Sequence, residues 1–406
     1  MASELLLGRY RLAGKVLGQG GWCVVQEAQD PEGNLVAVKT FTTQAARELG
    51  DKALLARFQR EVKTFHNIGV GPGNKRKAGA QDPRELFVNL VDFSKSGDGS
   101  AGPAHDGRYY TVLELADDSL DAWLKRSADA KEWLGLKDIR EVVSAVASSL
   151  SWLHSLGFVH LDLKPENVMR FGSRWKLIDL EGCQSVDGGN RVKPENFTPL
   201  YASPEIALAA LEAVDGSSKQ MLELTPSGSM DTWAAGIVFL DILAHGTCLA
   251  ETKAGFDAAA LFEEEAIPFE SWYRWVASSE NLEPLELLRD SPGAALLKES
   301  PELAELLERL LQKDPGRRLL AAAVLSHSFL VKGVRREPVE RVFRDWESRL
   351  QKKSHSAFSQ EDFLQVLLEI GVKPEDASQV LEALCHQTGS RMVTCTAFLD
   401  FLFGKE

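Results

Sequence analysis

The eight residues His160-Leu161-Asp162-Leu163-Lys164-Pro165-Glu166-Asn167 constrain this chain more than any other stretch. Pro165 excludes a helix interior, because it lacks an N–H and clashes with the preceding turn. Leu161 and Leu163 are out of place in a freely solvated loop. The octet therefore reads as a loop held against a core by its apolar members, presenting Asp162, Lys164 and Asn167 on the other side. A carboxylate, an ammonium and an amide converging there suit phosphoryl transfer. One group orients a hydroxyl, one neutralises developing charge and one holds a metal.

Other stretches offer groups that such chemistry needs. Gly18-Gln19-Gly20-Gly21 sits between Val16, Leu17, Val24 and Val25, which reads as a hairpin whose tip lets backbone amides approach phosphate oxygens. A lone glycine cluster is common in hairpins and is weak evidence by itself. The apolar run Leu35 to Val38 ends in Lys39, which read alone is an edge lysine pointing into water. Residues 52–65 have helical spacing, with Leu54, Leu55, Phe58, Val62 and Phe65 on one face. Glu61 lies on that same face, and a buried carboxylate requires a partner. Arg57, four residues earlier, would make an ordinary surface pair; Lys39 is the alternative.

Leu86 to Phe93 and Tyr109 to Leu115 read as a second hairpin, joined by the polar, glycine-rich loop Ser94 to Gly107. Asp117-Asp118-Ser119 reads as the cap of a short helix over 120–125. Ile139, Val142, Val143, Val146, Leu150 and Leu153 define a buried helical face that leads into the octet. After the octet, the strand 175–178 ends in Asp179-Leu180-Glu181. Asp231 opens an apolar helix that runs to Leu243.

Taken in this order over about residues 10–330, these stretches resemble the eukaryotic protein kinases. The resemblance implies an α+β, bilobal fold: a small lobe (about 10–115) of antiparallel sheet plus one helix, and a large, mainly helical lobe (about 116–330). It implies ATP and Mg²⁺ as cofactors and a protein substrate. Lys39, oriented by Glu61, would grip the nucleotide phosphates. Asp162 would accept the substrate hydroxyl proton, Lys164 would steady the phosphoryl group, and Asn167 and Asp179 would hold magnesium. Leu17, Gly18, Gly20, Val25, Ala37, Leu113, Glu114, Ala116 and Met169 would surround the nucleotide, with backbone groups of Glu114 to Ala116 on the adenine edge. Asp231 would hold the backbone of the octet, and Arg318 would pair with Glu205. Lys164 and Thr198 point to serine/threonine substrates, and the octet is similar to that of calmodulin-regulated kinases.

The chain departs from the family at three places. Cys23 stands where the third glycine belongs, and Leu161 replaces the arginine that receives an activation-loop phosphate. Glu181 replaces the glycine of the Asp-Phe-Gly element, where it would compete for the metal or hold an inactive geometry. These departures motivate the alternative, a pseudokinase acting as a nucleotide-binding scaffold or adaptor.

The bulk numbers narrow the class further. With 44% hydrophobic and 26% charged residues the chain buries a core, and its net charge of −13 argues against nucleic acid and anionic membranes as partners. No apolar run reaches the roughly 18 residues of a membrane span. Five scattered cysteines read as free thiols, and the start of the chain lacks a basic signal, so a cytoplasmic protein is expected.

Residues 336–406 carry three short helical patterns and resemble a degenerate EF-hand pair. Placing Val393 at the centre of a loop puts His386, Thr388, Ser390 and Ala397 at ligand positions. None is a carboxylate, which argues against calcium. The alternative is a helical appendage packed on the large lobe.

Overall fold

Alternating side chains in the first third of the chain build a five-stranded antiparallel sheet. Its strands are β1 (Arg11–Gln19), β2 (Cys23–Gln29), β3 (Leu35–Phe41), β4 (Leu90–Phe93) and β5 (Tyr110–Glu114), in the spatial order β1-β2-β3-β5-β4. The computed structural model describes residues 5–74, 81–187, 189–192, 197–215, 224–246, 248, 269–278, 282–331, 339–346, 359–388 and 393–403. They fall into two units: one comprises residues up to 119 together with 169–181, the other 120–168 and everything from 182 onward.

In the first unit the pleat sorts the sheet into two chemically different faces. Tyr10, Ala28, Val36, Val38, Tyr110 and Val112 form a closed apolar cluster on one face, with Leu6, Leu7 and Ala104 packed against it. The register pairs Val25 with Lys39 and Ala37 with Leu113, so these four residues share the opposite face. Two helices follow β3, α1 (Thr43–Leu49) and α2 (Asp51–Asn67). Leu54, Phe58, Glu61, Val62 and Phe65 of α2 are buried, the inward face that helical spacing predicts.

The segment between β4 and β5, expected as a loop without a readable role, is folded back over the sheet. Ser94 is fully buried, donating to the Gly102 carbonyl at 2.7 Å and accepting from the Tyr110 amide at 3.0 Å. The expected cap at 117–119 stands directly before the helix that begins at Leu120. Asp118 and Ser119 form strand β6, paired with β8 (Val168–Phe171), and the Asp117 carboxylate accepts from the Gly172 amide at 2.6 Å. β7 (Phe158–Val159) precedes the octet, and Leu177 at the end of β9 (Arg174–Leu177) makes an isolated parallel bridge to Phe87, ahead of β4.

The second unit is helical. α3 (Leu120–Ala130) is followed by α4 (Leu136–Ser155), whose six predicted inward residues are each at most 1% exposed. α5 (Pro204–Asp215) and α6 (Gly228–Ala244) follow, and α6 is buried along nearly its whole length. Helices Gln360–Glu369, Pro374–Thr388 and Cys395–Phe403 belong to this same unit. Asp376 accepts from Ser148 of α4 at 3.2 Å, and the Lys373 ammonium reaches Ser144 at 3.4 Å.

Of the positions aligned with a calcium loop, His386 and Thr388 stand on the helix Pro374–Thr388 and Ala397 on the helix Cys395–Phe403. Ser390 and the side chains of His386 and Thr388 lie outside the described residues.

Candidate active site

Lys39 is the centre of the first unit's polar cluster. It sits on β3 facing α2, and its side chain is 12% exposed. Its ammonium donates to Glu61 Oε1 at 2.9 Å, to Asp179 Oδ1 at 3.1 Å and to Glu181 Oε2 at 2.8 Å. Glu61, on α2, is paired with Lys39 rather than with Arg57, as expected for an acid on the buried face. Burial of the ammonium favours the neutral amine, but the Asp179 and Glu61 carboxylates outweigh it, so the Lys39 pKa is raised above that of an ordinary lysine.

Asp179 follows β9 with a positive φ of 58°, a left-handed backbone that a non-glycine residue adopts at a cost of about 1–3 kcal/mol. Such strain is held in place by surrounding structure, and here Lys39 grips the side chain. Glu181, two residues on, is buried and also accepts from Arg57 Nε. The Arg57 guanidinium in turn stacks over Trp22 at 4.5 Å from the ring centroid. Sequence reasoning missed this use of Arg57 and Trp22. No spacing in the sequence signals it, because Arg57 and Glu181 stand 124 residues apart.

The remaining predicted nucleotide-lining residues of the first unit stand on or beside its strands. Gly18 pairs with Val25 across β1 and β2, and the Gly20 amide closes the hairpin tip on the Cys23 carbonyl at 2.9 Å. Leu17 is 37% exposed, whereas Ala37 is buried beside Leu113. Cys23, on the Lys39 face, has its thiol pKa pushed up to about 11, chiefly by burial. Ala116 lies just after β5 and Met169 on β8 opposite Ser119. Glu114 is more committed than expected. Its amide donates to the Asn89 carbonyl at 3.1 Å, and its carboxylate accepts from Asn89 and from the buried Lys176.

In the second unit the octet and Thr198 form a separate polar cluster. Asp162 Oδ1 accepts from Thr198 Oγ1 at 2.6 Å, and Asp162 Oδ2 accepts from Lys164 Nζ at 2.6 Å. Lys164 also donates to Thr198 Oγ1 at 2.9 Å. Asn167 donates its amide to the Asp162 carbonyl at 2.8 Å, which leaves the amide oxygen as the atom it can offer a cation. Leu161 and Leu163 are buried as predicted, and Leu161 has a positive φ of 69°.

That strained turn is held from below by α6. Asp231, 1% exposed, accepts from the His160 and Leu161 amides at 2.8 Å each and lies 2.8 Å from His154 Nε2. Glu205 and Arg318 form a two-armed pair at 2.8 and 3.0 Å.

Comparison with known families matches the protein kinase domain over residues 12–330. The chain is 26% identical over 301 residues to the serine/threonine-protein kinase TOS3 of Saccharomyces cerevisiae. That alignment covers 70% of this chain, which spans about half the length of TOS3. It is 25% identical over 375 residues to calcium/calmodulin-dependent protein kinase type 1B of Rattus norvegicus, covering 88% and 87% of the two chains. It is similar also to MAP kinase-interacting serine/threonine-protein kinase 1 of Xenopus tropicalis, 25% identical over 343 residues, covering 79% and 69%. Among the described residues no helix is long and apolar enough to cross a membrane.

Proposed function

The chain belongs to the protein kinase family, and we propose that it transfers the γ-phosphoryl group of ATP to serine or threonine hydroxyls of a protein substrate. The observation that carries this reading is the Lys39–Glu61 and Lys39–Asp179 pairing at 2.9 and 3.1 Å, made by residues up to 140 positions apart. It presents a cation and a metal-binding carboxylate side by side, as positioning of a nucleotide demands.

Lys39 binds the phosphates and Glu61 fixes its direction. Leu17, Gly18, Gly20, Val25, Ala37, Leu113, Ala116 and Met169 enclose the rest of the nucleotide, with Glu114 anchoring the strand that carries the adenine edge. Asp162 accepts the proton of the substrate hydroxyl while Thr198 fixes its carboxylate. Lys164, bonded to both, offsets charge on the transferred group.

The hard oxygen donors of Asp179 and Asn167 suit magnesium, which when bound offsets the charge of the phosphates. Residues 10–330 are the catalytic domain in this reading, and the helices after 336 are its appendage.

The test is transfer of ³²P from γ-labelled ATP to generic protein substrates by the full chain, with Mg²⁺ or Mn²⁺. Label on serine and threonine, lost in Asp179→Asn, is the expected result. No incorporation with either metal overturns the proposal.

A further inference from the structure

An ammonium group has three N–H donors, and on Lys39 all three are directed at carboxylates: Glu61, Asp179 and Glu181. Phosphate oxygens that bind Lys39 must therefore displace at least one acid. Glu61 is 3% exposed, so stripping it of its cation would strand a buried charge, and it stays. Asp179 is 39% exposed and can be compensated by water or a bound cation. Glu181 is the unusual member. It is 8% exposed, it stands where the family has a residue with no side chain, and Arg57 holds its second oxygen.

We propose that Glu181 is a built-in competitor of the nucleotide: its carboxylate occupies a Lys39 donor that the phosphates would otherwise take, and so holds nucleotide affinity down. This rests on the reading of Lys39 as the phosphate ligand. Two observations make the competition persistent. Arg57, stacked on Trp22, anchors the carboxylate from the other side, so it does not swing away when Lys39 is approached. The cluster also sets two cationic side chains against three acidic ones, so an arriving polyphosphate meets net negative charge. Glu181 is a positioning residue in this account, acting through Lys39.

The experiment compares wild type, Glu181→Gln, and the double variant Arg57→Gln/Glu181→Gln, which removes both members of the pair so that no unpartnered arginine is left. Isothermal titration of the full chain with ATP and Mg²⁺ gives Kd, adenosine serves as a phosphate-free control, and kinase assays give kcat and KM.

Both variants should bind ATP about tenfold tighter or more, with unchanged affinity for adenosine and a fall in KM for ATP larger than any change in kcat. A general packing defect would move adenosine and ATP together. ATP affinity equal to or weaker than wild type in the double variant, or undetectable ATP binding throughout, overturns the inference. Tighter ATP binding without phosphoryl transfer in any variant upholds it while removing the kinase reading.

Discussion

Thr198 Oγ1 donates to Asp162 Oδ1 at 2.6 Å across 36 residues of chain. Since Lys164 holds the other Asp162 oxygen, the carboxylate is fixed at both ends. The hydroxyl thus sets the rotamer of the proposed base, which it can do only if residue 198 reaches the octet.

Thr198→Val keeps the side-chain shape and deletes this bond. Hydrogen bonds to charged groups contribute about 1.5–3 kcal/mol, so kcat should fall roughly tenfold to a hundredfold while KM for ATP holds. Asp162→Asn should cost about 10²–10⁴ in kcat. Steady-state kinetics at saturating ATP measures both, and a Thr198→Val enzyme with wild-type kcat would remove Thr198 from the mechanism.

Asp231 is a stability prediction. Its carboxylate satisfies two buried amides, at His160 and Leu161, in a turn that carries a positive φ at Leu161. Asp231→Ala leaves both amides unpaired at roughly 1–3 kcal/mol each, so urea unfolding should show a loss of about 2–6 kcal/mol. Asp231→Asn, which keeps one acceptor oxygen, should lose less. Equal losses in the two variants would show that packing rather than these bonds is responsible.

Local pattern carried much of this structure. Helical spacing alone placed Glu61 on the buried face of α2, and Pro165 with two leucines was enough to make 160–167 a loop seated on a core. Partners far along the chain were not legible. Arg57 meets Glu181 across 124 residues, and no spacing rule reports such a pair; i−4 from Glu61 favoured a local partner instead. The pairing of Asp118 and Ser119 with β8 was not legible either, because it too joins stretches far apart in the chain. In residues 359–403 apolar periodicity reports a buried face but not what buries it; Asp376 meets Ser148 of α4 in the same unit.

Two buried groups in the second unit should give opposing pH dependences. Burial pushes the Asp241 carboxyl up to about 7, against lowering hydrogen bonds from the Cys248 amide and the Tyr201 hydroxyl. With an unfolded value near 4, its contribution is full in acid and lost as pH rises from about 4 to 7. Burial, aided by Arg309, lowers His327 to about 3. Its contribution is full above the unfolded value near 6.5 and lost as pH falls towards 3. Between pH 4 and 6.5 the slopes oppose. Asp241→Asn should therefore make stability rise with pH over that window, and His327→Asn should make it fall, each by a few kcal/mol in denaturant titrations. Parallel profiles for wild type and both variants would contradict the two shifts.

The appendage gives the sharpest structural prediction, at Gly371. This residue ends the helix Gln360–Glu369 with φ +96°, a conformation costly for any residue with a Cβ. A Cβ there would also lie 2.9 Å from Val331 Cγ1, on the preceding part of the same unit. Gly371→Ala should therefore destabilise by about 1–3 kcal/mol through strain and overpacking together. Phe363→Ala should cost more, about 3–5 kcal/mol, because Phe363 packs in one cluster with Phe343 and Phe398 at centroid distances of 5.7 and 4.9 Å. If these helices stabilise α4 and its neighbours, both substitutions lower the midpoint of a single unfolding transition followed by near-ultraviolet circular dichroism. An appendage that folded independently would instead show an early transition of its own, with the main one unmoved, and that outcome would detach residues 359–403 from the unit the structure places them in.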